Sequence, residues 1–261
     1  MDRSLLDVEV LRSAVSGTGW RRVDVVAQTG STNADLIARA SAGEDISGAV
    51  LLAEYQSAGR GRHGRSWSAP AGSQISMSVG VGASGVAPER WGWLPLLTGL
   101  AVAHTVRDLG IDAGLKWPND VLVGTGKLAG ILAEVTAPTI VVGLGVNVSL
   151  TAAELPDPNA VSLRMLGRDA DRTTLTLSLL AALSDRLDQW RAANVGALAA
   201  DYRNLSTTIG TRVRATLPGD SEIVGLAAGI DDSGRLLIDE AGTVVTVSAG
   251  DITHLRPASG T

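Results

Sequence analysis

A chain of 261 residues with 45% hydrophobic and 19% charged side chains can bury a core and form one large or two smaller domains. Its net charge of -5 excludes the broad basic face that general binding to nucleic acid or anionic membranes requires. With no cysteine, disulfides, a thiol nucleophile and thiolate metal sites are excluded as well.

The N-terminus, Met1-Asp2-Arg3-Ser4-Leu5-Leu6-Asp7, lacks the apolar core of a signal peptide. The longest apolar run, Leu94 to Val106, is broken by Pro95, Thr98, Gly99 and His104 and is too short for a bilayer, so a cytoplasmic enzyme is expected. Ser31-Thr32-Asn33-Ala34-Asp35 opens a helix, with Thr32 and Asp35 at capping-box spacing and Leu36, Ile37 and Ala40 as its apolar face. Val50 to Ala53 predicts a buried strand, and Ile75 to Val79 alternates like a half-buried one. A helix is expected over Leu94 to Leu109, with Pro95 in its first turn. Leu115 to Val123 and Leu128 to Val135 predict two strands joined by Gly124-Thr125-Gly126. Thr139 to Val148 is nearly continuously apolar, as expected of a central strand covered on both faces. Behind Thr173, the residues Leu175, Leu179, Leu183, Leu187 and Trp190 recur at helical spacing.

The texture changes near residue 208. From Ile209 to Pro257 short strand signals (Val213 to Ala215, Leu236 to Ile238, Thr243 to Val247) alternate with turn signals at Pro218-Gly219-Asp220 and Asp231 to Gly234. This spacing predicts a small β-barrel of about 50 residues. The division expected is 1–207 and 208–261.

Three patterns are set aside. Gly80 to Gly85 matches a dinucleotide fingerprint, but no strand ending in an acidic residue follows, so a turn is expected. Gly126-Lys127 lacks the upstream glycine and following Ser/Thr of a phosphate-binding loop. His63, His104 and His254 lie far apart without metal-ligand spacing, and no G-x-S-x-G elbow is present.

Two features carry chemistry. The chain has only two lysines, Lys116 and Lys127, and they bracket Trp117-Pro118-Asn119-Asp120. Where every other cation is arginine, two retained ammonium groups point to a task that suits a compact charge and not a planar fork. Upstream, Gln56-Ser57-Ala58-Gly59-Arg60-Gly61-Arg62-His63-Gly64-Arg65-Ser66-Trp67 combines three glycines, three arginines and a histidine. Glycines allow close backbone approach, and the cations suit phosphate oxygens. Like charges crowded together predict a loop that an anion orders, with Trp67 as an apolar cover. These groups together suit chemistry between two anions. A carboxylate attacking an α-phosphate meets repulsion that an interposed ammonium relieves: opposite charges about 4 Å apart at an effective dielectric near 20 interact by roughly 4 kcal/mol.

The segments Ser31-Thr32-Asn33, Gln56…Gly59-Arg60-Gly61-Arg62-x-Gly64-Arg65-x-Trp67, Lys116-Trp117-Pro118-Asn119-Asp120 and Lys127-Leu128-Ala129-Gly130-Ile131-Leu132-x-Glu134, continued by Gly143-x-Gly145-x-Asn147, closely resemble the biotin protein ligases in order and spacing. The resemblance covers essentially the whole chain. The region before Val23 is too short for a winged helix-turn-helix, so the ligase-only class is expected, with no DNA and no membrane as partner. His63 stands where some relatives carry a basic residue.

The resemblance implies an α+β fold: a mixed β-sheet packed with helices, similar to class II aminoacyl-tRNA synthetases, followed by an SH3-like β-barrel. It implies that biotin and MgATP give biotinyl-5′-AMP, which a lysine of a biotin carboxyl carrier domain of acetyl-CoA or acyl-CoA carboxylase then attacks. Ser31, Thr32, Gln56 and Arg60 would hold the ureido end of biotin, with Asn33, Gly59, Gly61, Arg62, Lys127 and Gly130 completing its site. Arg62, Arg65 and Trp67 would close over the adenylate, and Lys116, Asn119, Lys127 and Asn147 would serve the nucleotide. Lys127, Arg62, Lys116 and Asp120 would be the catalytic groups. Two roles stay open for Asp120, accepting a proton from the incoming amine or binding magnesium; otherwise Mg2+ is carried by ATP and the protein supplies no metal set. A lipoate-protein ligase and a non-catalytic biotin-binding protein remain as alternatives.

Overall fold

The computed structural model describes residues 3–15, 18–217, 219, 221–248 and 250–255. In chain order it contains α1 (Val8–Val15), β1 (Arg22–Thr29), α2 (Thr32–Ser41), β2 (Ala49–Gln56), β3 (Gln74–Gly82), α3 (Trp93–Asp108), β4 (Ala113–Lys116), β5 (Asp120–Val123), β6 (Gly126–Thr136), β7 (Thr139–Asn147), α4 (Arg172–Arg191) and α5 (Val195–Leu205). Five strands follow: β8 (Arg212–Thr216), β9 (Glu222–Ile230), β10 (Leu236–Glu240), β11 (Thr243–Val247) and β12 (Asp251–His254).

The first seven strands form one mixed sheet in the order β1-β2-β3-β7-β6-β5-β4. The apolar run from Thr139 is its middle strand and is buried along its whole length, because helices cover both faces. On one face α1, α3, α4 and α5 join one core with the sheet, in which Leu11, Leu94, Leu97, Leu175, Leu183, Trp190 and Leu198 cluster with Ile75, Met77, Val79 and Ile131. On the other, α2 packs Leu36 against Ile46, Leu51 and Val141. A buried ion pair ties the chain start to this sheet. Arg172 donates to Glu54 Oε2 and to the Ser4 carbonyl, both at 2.6 Å, while Glu54 Oε1 accepts from the Leu6 amide at 2.7 Å.

Several expectations are corrected. The N-cap of α2 is Ser31, whose hydroxyl accepts from the Ala34 amide, not Thr32. The Thr32 hydroxyl is instead committed to Gln56 and Ser78. Strand β3 is buried from Gln74 to Val81 and not half-buried: Ser76 and Ser78 alternate as read, but Thr32 and Asn33 cover Ser78, and Trp67 covers Gln74 in the same row. Leu115 to Val123 is not one strand. Trp117, Pro118 and Asn119 turn the chain, so that Lys116 pairs with Asp120 across a β4–β5 hairpin. Gly80 sits where a Cβ would lie 2.0 Å from the Ile46 carbonyl oxygen, so close backbone packing explains this glycine of the discarded fingerprint. Helices α1 and α5 and strand β1 are not among the elements expected from the sequence.

The C-terminal strands form an antiparallel sheet in the order β11-β10-β9-β8-β12. This is the small β-module expected from the sequence; among the described residues no ladder joins β11 to β12. Pro218 and Asp220 of the expected turn, and Pro257, lie outside the described residues. Two buried tryptophans dock this sheet onto the larger one: Trp93 Nε1 donates to the Asp232 carbonyl at 2.8 Å, and Trp117 Nε1 to that of Gly234 at 3.0 Å. The turn read from Asp231 to Gly234 is therefore a docking element.

Candidate active site

Three strands supply a floor. In antiparallel pairing Gly145 lies between Ser76 and Gly130, and Gly143 between Ser78 and Leu132. Because alternate residues share a face, Gly143, Gly145 and Asn147 form one row along β7. The missing side chains leave room for others. A Cβ on Gly143 would lie 2.1 Å from Asn33 Oδ1, and one on Gly145 would lie 2.3 Å from Trp67 Nε1. The two glycines of the Gly143-x-Gly145-x-Asn147 pattern thus seat one site side chain each.

Above this floor lies a cavity of about 630 Å3. It is lined by Ser31, Thr32, Asn33, Gln56, Arg60, Gly61, Arg62, Arg65, Trp67, Lys116, Asn119, Asp120, Lys127, Gly130 and Asn147. Every candidate residue from the sequence is among them except Gly59. That glycine supports the loop: a Cβ there would meet the Trp67 carbonyl oxygen at 2.2 Å.

At the Gly143 end Thr32, Asn33, Gln56 and Ser78 form a neutral, mutually hydrogen-bonded set. Gln56 Oε1 accepts from the Thr32 amide (2.9 Å) and hydroxyl (3.1 Å), and buried Ser78 donates to Asn33 Oδ1 at 2.6 Å. Asn33 Nδ2 then donates to Glu134 at 2.7 Å, with Arg60 4.0 Å from the same carboxylate.

At the other end the groups are charged. Strand β6 carries a one-residue bulge: Val121 pairs with Ala129 but Leu122 pairs with Lys127, leaving Leu128 unmatched. Residues three apart in a regular strand face opposite ways; the bulge re-aims Lys127 so that it and Gly130 both face the cavity. Lys127 Nζ stands 2.7 Å from Asp120 Oδ1, in an ion pair too poorly aligned for a hydrogen bond, and 5.5 Å from the Trp67 ring centroid. Its backbone is clamped by the segment after β7, through Lys127 N to the Asn159 carbonyl and Val161 N to the Lys127 carbonyl. Asn147 donates from Nδ2 to the Val161 carbonyl at 3.0 Å and so braces that segment. Trp67 lies along the glycine floor with Nε1 donating to Gln74 Oε1 at 2.8 Å, so it is a wall of the cavity more than the cover expected.

The arginine loop reaches the C-terminal sheet. Arg62 donates to Asn119 Oδ1 (3.1 Å) and to the Gly250 carbonyl (3.2 Å), while Arg65 pairs with Asp251. Burial lowers the Arg62 pKa, opposed by Asp251 and Asp120, and the guanidinium stays charged. His254 is lowered by burial and then by the Lys116 charge, which keeps it neutral beside the Thr208 hydroxyl at 3.0 Å. His104 is a helix-face residue against Arg186, as read from the sequence.

Sequence reasoning missed Asp251 and its neighbours Thr216, Ile252 and Thr253, which line the same cavity. Asp251 is 186 positions from Arg65, and no local pattern marks it.

Comparison with known proteins agrees with this geometry. The model of the Biotin/lipoate A/B protein ligase family matches residues 25–149, and that of the Biotin protein ligase C terminal domain matches 208–255. The chain is 55% identical over 261 residues to the biotin--[acetyl-CoA-carboxylase] ligase of Mycobacterium tuberculosis, covering 97% of each. It is 35% identical to the bifunctional ligase/repressor BirA of Escherichia coli over 236 residues, 87% of this chain and 72% of the relative. Among solved structures it superposes on a biotin protein ligase from Aquifex aeolicus in complex with biotin and ATP, with TM-score 0.79 and 25% identity over 91% of this chain and 100% of that one.

Proposed function

The chain belongs to the biotin/lipoate A/B protein ligase family, and from this membership we infer that it is a biotin protein ligase, joining biotin to a carrier-protein lysine at the expense of ATP. The carboxylate oxygen of biotin attacks the α-phosphorus of MgATP and expels pyrophosphate, giving biotinyl-5′-AMP. The carrier lysine then attacks the acyl carbon, forming an amide, expelling AMP and losing a proton.

One observation carries the assignment of residues. Along β7 the cavity changes from the neutral hydrogen-bonded set of Thr32, Asn33, Gln56 and Ser78 around Gly143, with the Arg60–Glu134 pair beside it, to the cations Lys127, Arg62 and Arg65 toward Asn147, a span of roughly 13 Å at about 3.3 Å per residue. A neutral ring system with a carboxylate on a short apolar tail matches that gradient. Ser31, Thr32, Asn33, Gln56 and Arg60 take the ureido end, with the Thr32 hydroxyl oriented by Gln56 and Ser78. Lys127 sits where carboxylate and α-phosphate meet, and Asp120 orients it as counter-ion. Arg62 and Arg65 take the phosphate, and Lys116, Asn119 and Asn147 the rest of the nucleotide. Magnesium enters with ATP as part of the substrate. The acceptor is the biotin carboxyl carrier domain of acetyl-CoA or acyl-CoA carboxylase, and residues 1–207 and 208–261 form the two domains. Among the described residues no helix is long and apolar enough to cross a membrane.

The test is release of pyrophosphate and mass detection of the adenylate with biotin or lipoate as sole acid. Biotin alone should give product; lipoate product would move the chain to lipoate ligation, and binding of biotin without turnover would make it a non-catalytic binder.

A prediction about the floor follows. Gly145→Ala must lift Trp67 off the sheet, because the new Cβ would lie within 2.4 Å of both Nε1 and Cε2. Adenylate formation should fall by roughly tenfold, comparable to Trp67→Ala, through misplacement of the wall beside Lys127. The double variant should cost little more than either single one, since both act on one contact. Additive losses in single-turnover rates would show that Gly145 acts otherwise.

A further inference from the structure

Two guanidinium groups and a histidine of one loop converge on a single carboxylate from the other sheet. Arg65 pairs with Asp251, His63 Nε2 lies 3.7 Å and Arg62 Nη1 3.9 Å from Asp251 Oδ1, and Arg62 also donates to the carbonyl of the adjacent Gly250. Asp251 opens β12 and itself lines the cavity. Arg62 and Arg65 thus share one anion within the chain, contributed by the C-terminal sheet.

We propose that Asp251 is a positioning residue for the arginine loop: it holds Arg62 and Arg65 as an internal anion and yields them to the phosphate of the bound nucleotide. The proposal rests on the assignment of these arginines to phosphate. Guanidinium groups bond carboxylate and phosphate through the same donors, so the two anions compete for them. The competition has a definite thermodynamic sign. An interaction present before ligand binding and lost on binding opposes it, and removing that interaction tightens binding by the same factor. A structural role alone gives the opposite or no effect.

The experiment compares Asp251→Asn, which removes the charge, with Asp251→Glu, which keeps it. Two readings are taken: the rate of tryptic cleavage after Arg62 and Arg65 without ligand, and the dissociation constant of α,β-methylene-ATP, whose α–β linkage resists adenylation, in the presence of biotin. Asp251→Asn should be cleaved faster in the loop yet bind the nucleotide about two- to fivefold more tightly, the size expected of a partly exposed ion pair. Asp251→Glu should match the parent in both. Should the Asn variant not fold, Asp251→Ser gives the same readings. Unchanged loop cleavage would show that Asp251 does not hold the loop; faster cleavage with unchanged or weaker binding would show that the pair persists in the complex. Either overturns the exchange. A parent protein that binds no nucleotide in the presence of biotin would instead overturn the functional reading, and the exchange with it.

Discussion

Lys127→Ala should lower the rate of biotinyl-5′-AMP formation by roughly 10²- to 10³-fold, the usual consequence of removing one preorganised group aimed at developing charge. The affinity for biotin should fall far less. On the assignment proposed above, biotin binding would draw mainly on the neutral network of Thr32, Asn33 and Gln56 at the Gly143 end, which has no hydrogen bond to Lys127 among the described residues. The ammonium matters most when carboxylate and phosphate oxygens are forced together, so its loss appears in the chemical step. Single-turnover adenylate formation, set beside equilibrium biotin binding, separates the two. Equal losses in both would place Lys127 in ground-state binding.

The arginine variant is the sharper comparison. Lys127 Nζ occupies a narrow place between Asp120 and the Trp67 ring, with Gly130 so close that a Cβ there would lie 3.2 Å from Lys127 Cε. A guanidinium fork is wider than an ammonium and would engage Asp120 through two donors at once. Lys127→Arg should therefore recover little of the rate. Near-normal turnover would refute the idea that lysine was retained in an otherwise arginine-only chain for its shape.

How much of this was legible follows from the range over which each signal acts. The helix at 93–108 and the central strand at 139–147 are long apolar runs, and the helix at 172–191 carries Leu175, Leu179, Leu183, Leu187 and Trp190 at helical spacing, so the local sequence sufficed. The β4–β5 hairpin was read as one strand because its turn is built from Trp117, Pro118 and Asn119, without the glycine pair that marks the next turn. The polar row on β3 mimicked a solvated face, since alternation reports polarity and not what covers it. At the site, glycines and cations close together in sequence were recognisable as a loop for anions. The bulge that turns Lys127 toward Gly130 was not, because it depends on pairing with β5. Nor was Asp251, whose relation to the loop exists only once Trp93 and Trp117 have docked the C-terminal sheet. The motif tryptophan Trp117, in turn, is explained as much by that docking as by any ligand.

Arg62→Gly should leave biotinyl-5′-AMP formation measurable but release the adenylate faster. The mixed anhydride reacts with any amine and with water, so specificity requires that it be retained until the carrier lysine arrives. Arg62 is well placed to retain it. Its side chain is 20% exposed, lines the cavity, and spans from Asn119 on one sheet to the Gly250 carbonyl on the other. Charge-assisted hydrogen bonds contribute about 1.5–3 kcal/mol each, so losing one set should speed dissociation by roughly 10- to 100-fold. Glycine adds to this by freeing a loop in which Gly61 and Gly64 already impose little restraint. Bystander proteins mixed into the assay should then acquire biotin on exposed lysines, at a level that follows the adenylate off-rate. Ser66→Ala is the control, since no hydrogen bond of its hydroxyl is seen among the described residues although it lines the same cavity. An Arg62→Gly enzyme that keeps its adenylate as long as the parent, with no labelling of bystanders, would show that closure over the intermediate is carried by other side chains.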